Sequence, residues 1–90
     1  MPKPMAEGGE KNLIARRLVQ LRRLRGLSQR QLAARLQLEG YDMDKNVITR
    51  IETGKRYVTD IELVALCQVL EVSCGYLLYG DYLLYDDEEI

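Results

Sequence analysis

The feature that most constrains this chain is a succession of short apolar stretches with helical spacing, separated by residues that start or stop helices. The first stretch predicts a helix over 12–25, because its aliphatic residues recur three or four positions apart until Gly26 ends the pattern. Ninety residues close one modest hydrophobic core but rarely two. The sequence therefore predicts a single all-α domain.

Helix-start signals divide the rest of the chain. Ser28 and Gln31 have the spacing of a capping box, in which two side chains satisfy backbone N–H groups at a helix start. Thr59 and Glu62 repeat that spacing, and Ser73 precedes the last apolar stretch. The predicted elements are helix 1 (12–25), helix 2 (28–37), a loop (37–43), helix 3 (44–54), helix 4 (from residue 59) and helix 5 (from about residue 73).

The third predicted helix has two chemically different sides. Asp44 is a suitable N-cap and Gly54 a suitable C-terminal glycine. At 100° per residue, the apolar side contains Val47, Ile48 and Ile51, and the polar side contains Lys45, Asn46, Thr49 and Arg50. The DNA major groove, about 12 Å wide, accepts one such helix, since Lys and Arg donate to guanine and Asn pairs with adenine. The polar side is therefore a candidate surface for base contacts.

The charges are segregated along the chain although the net charge is only −1. Residues 11–56 carry twelve basic and four acidic side chains, whereas residues 57–90 carry eight acidic and no basic ones. A basic half is the electrostatic footprint expected of a protein that binds nucleic acid. The arginines of helix 1 could belong to this footprint or could simply form a solvated face. These are Arg16, Arg17, Arg23 and Arg25.

Several other classes of protein are disfavoured by what the sequence lacks. It has no histidine, and no glycine-rich loop that would hold a phosphate, so a catalytic site is not expected. Cys67 and Cys74 lie in apolar stretches, which favours buried, reduced thiols over a disulfide or a metal site. We expect no cofactor. No apolar run is long enough for a membrane span and no secretory signal is present, so the sequence predicts a cytoplasmic protein.

The two ends differ from the middle of the chain. Residues 1–11 contain prolines, glycines and scattered charge, which predicts a flexible arm preceding a domain over 12–80. Residues 81–90 form an acidic tail, and a Tyr-Leu-Leu-Tyr motif occurs at 76–79 and again at 82–85. The repeated motif could complete the core as a final helix, or it could form an apolar dimerisation strip.

Two stretches of this sequence resemble the helix-turn-helix regulators of the lambda-repressor/Cro type, also called xenobiotic-response-element-like. They are the residues 21–33 (LRRLRGLSQRQLA) and 48–56 (ITRIETGKR), and the resemblance extends from about Leu13 to Tyr79. It implies a five-helix all-α domain in which helices 2 and 3 form the helix-turn-helix and helix 3 lies in the major groove. It also implies a homodimer on a palindromic operator.

The resemblance assigns roles to individual residues, which agree with the polarity of helix 3. The base-contacting residues are Lys45, Asn46, Thr49 and Arg50, and the phosphate-binding residues are Ser28, Gln29, Lys55 and Arg56. Glu52 is expected to pair with Arg22 of helix 1, although Arg22 could instead contact phosphate as a solvated charge.

The chain departs from the family pattern between helices 2 and 3. Eleven residues separate Leu36 from Ile48, a turn about five residues longer than usual in the family. The extra residues, about 39–43, either lengthen helix 2 or bulge outward. Asp42 and Asp44 could then repel phosphate or select cytosine, but an N-cap is the simpler role for Asp44.

Two functions follow as hypotheses. In the first, the chain is a regulator, and specifically a repressor, that binds double-stranded DNA in a sequence-specific manner and occludes a promoter. In the second, it is a protein-interaction module, similar to an antitoxin or antirepressor, that binds a partner through the acidic C-terminal tail.

Overall fold

The computed structural model describes residues 3–80, and that part of the chain contains helices and no strands. The five helices are α1 (Ala15–Leu24), α2 (Gln29–Leu38), α3 (Lys45–Glu52), α4 (Asp60–Leu70) and α5 (Cys74–Tyr79). The prediction of a five-helix all-α fold is therefore confirmed. The predicted acidic tail over 81–90, with the second Tyr-Leu-Leu-Tyr motif, lies outside the described residues.

Side-chain caps start four of the five helices where the sequence predicts them. The capping residues are Ser28, Asp44, Thr59 and Ser73. At the start of α2, the backbone N–H of Gln31 donates to Ser28 Oγ at 3.0 Å, and Gln31 Oε1 accepts from the Ser28 N–H at 2.8 Å. Such caps replace the backbone partners that the first turn of a helix lacks.

Helix α1 starts three residues later than its apolar pattern predicts, at Ala15 instead of Asn12. The side chain of Asn12 makes tertiary contacts, because its Nδ2 donates to the carbonyls of Ile51 at 3.1 Å and Arg56 at 2.9 Å. Its Oδ1 accepts from the Ile14 N–H at 3.0 Å. Asn12 therefore connects the chain entering α1 to the end of α3.

The core lies between α1, α2, α3 and α4, with α5 packed on α4. Ile48 and Ile51, on the predicted apolar side of α3, are fully buried, as are Leu18 of α1 and Leu32 of α2. Ala33 is also buried and allows α2 to pack closely against its neighbours. The core thus holds α3 by its apolar side and leaves the opposite side to solvent.

The extra residues between α2 and α3 form a loop that is attached to the core. Helix α2 ends at Leu38, one residue later than predicted, and Gly40 adopts φ +93°, which a glycine accepts without strain. The Tyr41 N–H donates to the Leu36 carbonyl at 3.0 Å, and the side chain of Met43 is 2% exposed. The insertion therefore neither greatly lengthens α2 nor simply bulges outward.

Two of the arginines predicted for helix 1, Arg17 and the C-cap residue Arg25, bind the C-terminal ends of other helices. Arg25 Nε donates to the Leu70 carbonyl of α4 at 2.9 Å. Arg17 Nη1 donates to the Leu78 carbonyl of α5 at 3.2 Å. Guanidinium groups satisfy carbonyls that have no partner within the helix and are attracted by the negative end of the helix dipole. A merely solvated face is thus the wrong interpretation for these two residues.

The N-terminal segment, which the sequence predicts as part of a flexible arm over 1–11, makes backbone hydrogen bonds within itself and to the turn after α3. The Ala6 N–H donates to the Glu10 carbonyl at 2.8 Å, and the Gly9 N–H donates to the Ala6 carbonyl at 2.8 Å. The Lys11 N–H donates to the Gly54 carbonyl at 2.9 Å, directly after α3. Polar composition indicates disorder because it gives no hydrophobic driving force, but it does not reveal backbone hydrogen bonds to a distant turn.

The two cysteines are free thiols at the junction of α4 and α5. Cys67 is buried in the core and Cys74 packs against it. Burial raises the pKa of the Cys67 thiol well above its ordinary value, and a hydrogen bond with Cys74 adds to the effect. These thiols act as small apolar side chains in the core.

Met43 provides a test of how the inserted loop is attached. Met43→Ala removes a fully buried side chain and should lower the free energy of unfolding by about 2–5 kcal/mol. Met5→Ala is the matched control, because Met5 is 57% exposed and should change stability by less than about 0.5 kcal/mol. Urea unfolding followed by circular dichroism measures both, and equal midpoints for the two variants would show that Met43 does not hold the loop.

Candidate nucleic-acid interface

The carboxylate of Glu52, at the end of α3, connects three helices. Its Oε2 accepts from Arg22 Nε of α1 at 2.6 Å, and its Oε1 accepts from Arg22 Nη2 at 3.0 Å. The same Oε1 accepts from Gln29 Nε2 of α2 at 2.8 Å. Arg22 Nη1 also donates to the Leu27 carbonyl, in the turn between α1 and α2, at 2.9 Å. The ion pair implied by the family resemblance is therefore present in the structure, as part of a larger network.

This network is largely removed from water. The side chain of Arg22 is 10% exposed and that of Glu52 is 4% exposed. The hydrogen bond that Arg22 donates to Glu52 raises the pKa of Arg22 above its ordinary value, more than burial lowers it. Since both charges are paired and hydrogen-bonded, the pair fixes α3 in position and orientation against α1 and α2.

Gln29 and Thr49, which the sequence assigns to phosphate and base contacts, bind each other. The Thr49 hydroxyl lies 2.9 Å from Gln29 Oε1 and 3.0 Å from the Lys45 carbonyl, and both side chains are half-buried. The Gln29 amide thus accepts from Thr49 and donates to Glu52. Spacing within the sequence gives no signal for this contact, because the two residues belong to different helices.

The other three predicted base-contacting residues lie on the open side of α3. Lys45, Asn46 and Arg50 are exposed, and within residues 3–80 their side chains make no ion pair or hydrogen bond. The buried Ile48 and Ile51 hold the opposite side of the helix. The structure therefore presents two cationic side chains and one amide together on an unobstructed surface.

The start of α2 is a second polar part of this surface. Its capping box satisfies the N–H groups of Ser28 and Gln31. The N–H groups of Gln29 and Arg30, in the first turn, have no acceptor within the helix, as at any helix start. Helix N-termini attract anions for this reason, and Ser28 itself is exposed.

Lys55 and Arg56 follow α3 but have different surroundings. Lys55 is exposed. Arg56 makes a two-point ion pair with Glu62 of α4, through Nη1 to Oε1 at 2.9 Å and Nη2 to Oε2 at 3.0 Å. Arg56 Nη1 also donates to the Tyr57 carbonyl at 3.2 Å. The structure thus directs Arg56 to the start of α4, whereas the sequence indicated a phosphate ligand.

The environment of Glu62 lowers the pKa of its carboxyl group, chiefly through the hydrogen bond from Arg56. Hydrogen bonds from Thr59 act in the same direction, while burial opposes them. Arg56 thereby keeps Glu62, the glutamate of the capping box, negatively charged at the N-terminus of α4, where the helix dipole is positive. Arg56 and Glu62 therefore fix the turn that connects α3 to α4.

The N-terminal segment adds cationic groups that the sequence did not associate with this surface. Lys3 Nζ lies 5.1 Å from the centroid of the Tyr57 ring, and Lys11 Nζ lies 5.7 Å from it. These distances are typical of cation–π contacts. No local pattern connects residues so far apart in the sequence.

Two other features can be checked within the described residues. Within residues 3–80, no three His, Cys, Asp or Glu side chains converge as a metal ion would require. The helices of the same range are too short or too polar to cross a membrane.

A family model described as helix-turn-helix matches residues 18–77, which is most of the chain. The chain therefore belongs to the helix-turn-helix family of the lambda-repressor/Cro type, a family of DNA-binding transcription regulators. No curated protein matches the chain, and no solved structure matches it.

The buried pair can be tested by removing one charge at constant shape. Glu52→Gln leaves the Arg22 guanidinium buried without a counter-ion and should lower the free energy of unfolding by about 3–5 kcal/mol. Glu39→Gln, at an exposed position, is the matched control and should have little effect. The double variant Arg22→Met/Glu52→Leu should lose much less than Glu52→Gln, because it leaves no unpaired charge. Equal urea midpoints for the two Glu→Gln variants would contradict this role.

The Arg56–Glu62 pair should make stability depend on acid. Because the folded-state pKa of Glu62 is lowered, the folded chain binds this proton less readily than the unfolded chain. The stabilisation is complete at pH values above the ordinary pKa of 4.5 and decreases as the pH falls towards the lowered pKa of the folded chain. The difference in unfolding free energy between wild type and Glu62→Gln should therefore shrink as the pH is lowered below 4.5. A difference that does not vary with pH would contradict the assignment.

Proposed function

We propose that this chain binds double-stranded DNA in a sequence-specific manner by placing α3 in the major groove, and that it represses transcription by occluding a promoter. The observation that carries the proposal is the arrangement of α3. Its apolar side and Glu52 are buried, while Lys45, Asn46 and Arg50 are exposed together on its other side. A helix held so firmly presents its polar side chains in a defined direction, as base recognition requires.

The side chains on the open face suit particular bases. Lys45 and Arg50 can donate to O6 and N7 of guanine, and Asn46 can pair with N6 and N7 of adenine. We assign Thr49 an accompanying role, because its hydroxyl contacts Gln29 and thereby links α3 to the start of α2. Thr49 is therefore assigned a secondary contact with the bases.

We further propose that two groups flanking α3 bind the DNA backbone. The start of α2, with Ser28, Gln29 and the first-turn N–H groups, forms one of them. Lys55 forms the other, since it is exposed directly after α3. Arg56 acts indirectly: its guanidinium group is hydrogen-bonded to Glu62, and this ion pair fixes the turn that contains Lys55.

The resemblance to this family implies a homodimer on a palindromic operator, and we propose this arrangement for the chain. Tyr79 at the end of α5 is 74% exposed and precedes the second Tyr-Leu-Leu-Tyr motif. An exposed aromatic residue with a polar tip is typical of interface positions. Two protomers would place two copies of α3 one helical turn of DNA apart.

Selection of genomic DNA fragments with the purified chain tests the function directly. We expect enrichment of a palindromic sequence, and Arg50→Ala should weaken binding to it by about 1–3 kcal/mol by removing a base contact. Arg35→Ala is the matched control, because it removes an exposed arginine that lies away from α3. Arg35 lines a surface hollow together with Leu38 of α2 and Gln68 of α4. This variant should bind as the wild type does.

Two results would contradict this assignment. Absence of any enriched sequence at low salt would indicate that the fold serves another purpose, such as binding a protein through the acidic tail. Equal losses for Arg50→Ala and Arg35→Ala would indicate general electrostatic attraction without base recognition.

A further inference from the structure

The N-terminal segment is fastened to the end of α3 and to the turn that follows it. The Lys11 N–H donates to the Gly54 carbonyl at 2.9 Å, and Asn12 Nδ2 donates to the Ile51 carbonyl at 3.1 Å. Glu10 covers Gly54 so closely that a Cβ at residue 54 would lie 2.7 Å from Glu10 Cγ. Gly54 also has φ +74°, which disfavours any other residue. This glycine thus permits the segment to lie against the turn.

The segment brings two ammonium groups to one aromatic ring. Lys3 Nζ and Lys11 Nζ lie 5.1 and 5.7 Å from the Tyr57 ring centroid. Two like charges beside the same ring repel each other, although the ring attracts each of them. An anion bound beside both groups would remove this repulsion. The arrangement therefore favours a negatively charged ligand.

Lys55 lies in the turn to which this segment is hydrogen-bonded. It directly follows Gly54, which binds the Lys11 N–H. Lys3, Lys11 and Lys55 are all exposed, and within residues 3–80 none of them forms an ion pair. The three lysines border the turn at the C-terminal end of α3.

Acidic groups lie near these three lysines, but within residues 3–80 none of them forms an ion pair with a lysine. Glu10 Oε1 lies over Gly8, 2.8 Å from where a Cβ of that residue would be, so its carboxylate is directed into the segment. Glu7 is exposed, and Asp60 borders the same surface hollow as Lys11. These charges reduce the attraction of the three lysines for anions.

We propose that Lys3 and Lys11, held on the Tyr57 ring, form a binding site for phosphodiester groups of the DNA backbone beside Lys55. The inference rests on the proposed function and adds a contact outside the helix-turn-helix itself. Because the segment is already ordered by its contacts with Gly54 and Tyr57, it loses less conformational entropy on binding than a free arm would. The site contributes affinity without base specificity, since phosphates carry no sequence information.

The salt dependence of binding to a labelled random-sequence duplex tests this site. Each lysine that neutralises a phosphate should contribute about −0.9 to the slope of log K against log salt. Lys3→Ala/Lys11→Ala should therefore have a slope shallower than wild type by about 1.8. Arg35→Ala, which removes an exposed charge elsewhere, should leave the slope unchanged, and circular dichroism confirms that each variant is folded.

Variants of Tyr57 separate the ring from the charges. Tyr57→Phe keeps the ring and should preserve the wild-type slope, whereas Tyr57→Leu keeps both lysines but removes the ring and should make the slope shallower. If Lys3→Ala/Lys11→Ala keeps the wild-type slope, the site is refuted while DNA binding stands. A normal slope for Tyr57→Leu would overturn the role of the ring. If the wild type binds no duplex even at low salt, the proposed function fails together with this inference.

Discussion

The hydrogen-bonded ion pair between Arg22 and Glu52 is the interaction on which the arrangement of this domain depends. It connects α1 to α3, and Gln29 brings α2 into the same network. A buried carboxylate is stable only when its oxygens accept hydrogen bonds from well-placed donors. The network therefore fixes the relative positions of the three helices more than it adds stability. The exposed side of α3 acquires a fixed direction as a result.

The basic half of the chain has two different uses. Arg17, Arg22, Arg25 and Arg56 bind carbonyls or carboxylates of the protein itself. Lys45, Arg50 and Lys55 remain on the surface that the proposed function assigns to DNA. Net charge along a sequence therefore overestimates the charge available to a polyanion. For Arg17, Arg25 and Arg56 the distinction depends on tertiary contacts that no local pattern shows, whereas Arg22 was singled out by the family resemblance.

Local features of the fold could be predicted from the sequence, and long-range contacts could not. The helix starts at Ser28, Asp44 and Thr59 follow from side chains that bond to backbone groups three residues away. The open side of α3 follows from its periodicity. The positions of Asn12 and Met43 depend on distant parts of the chain, and no short-range pattern encodes them. The candidate site divides in the same way: its exposed residues were predicted, whereas the contacts of Gln29 and Arg56 were not.

The most direct test of where DNA binds is a nuclear magnetic resonance titration of the whole, isotope-labelled chain with the selected duplex. We expect backbone amide shifts to change most at the start of α2 and along α3, around Ser28, Asn46 and Arg50, with little change around Ile61 and Val64 of α4. Changes concentrated on α4, with α3 unaffected, would contradict the proposed role of α3 and would place any nucleic acid on another face of the domain.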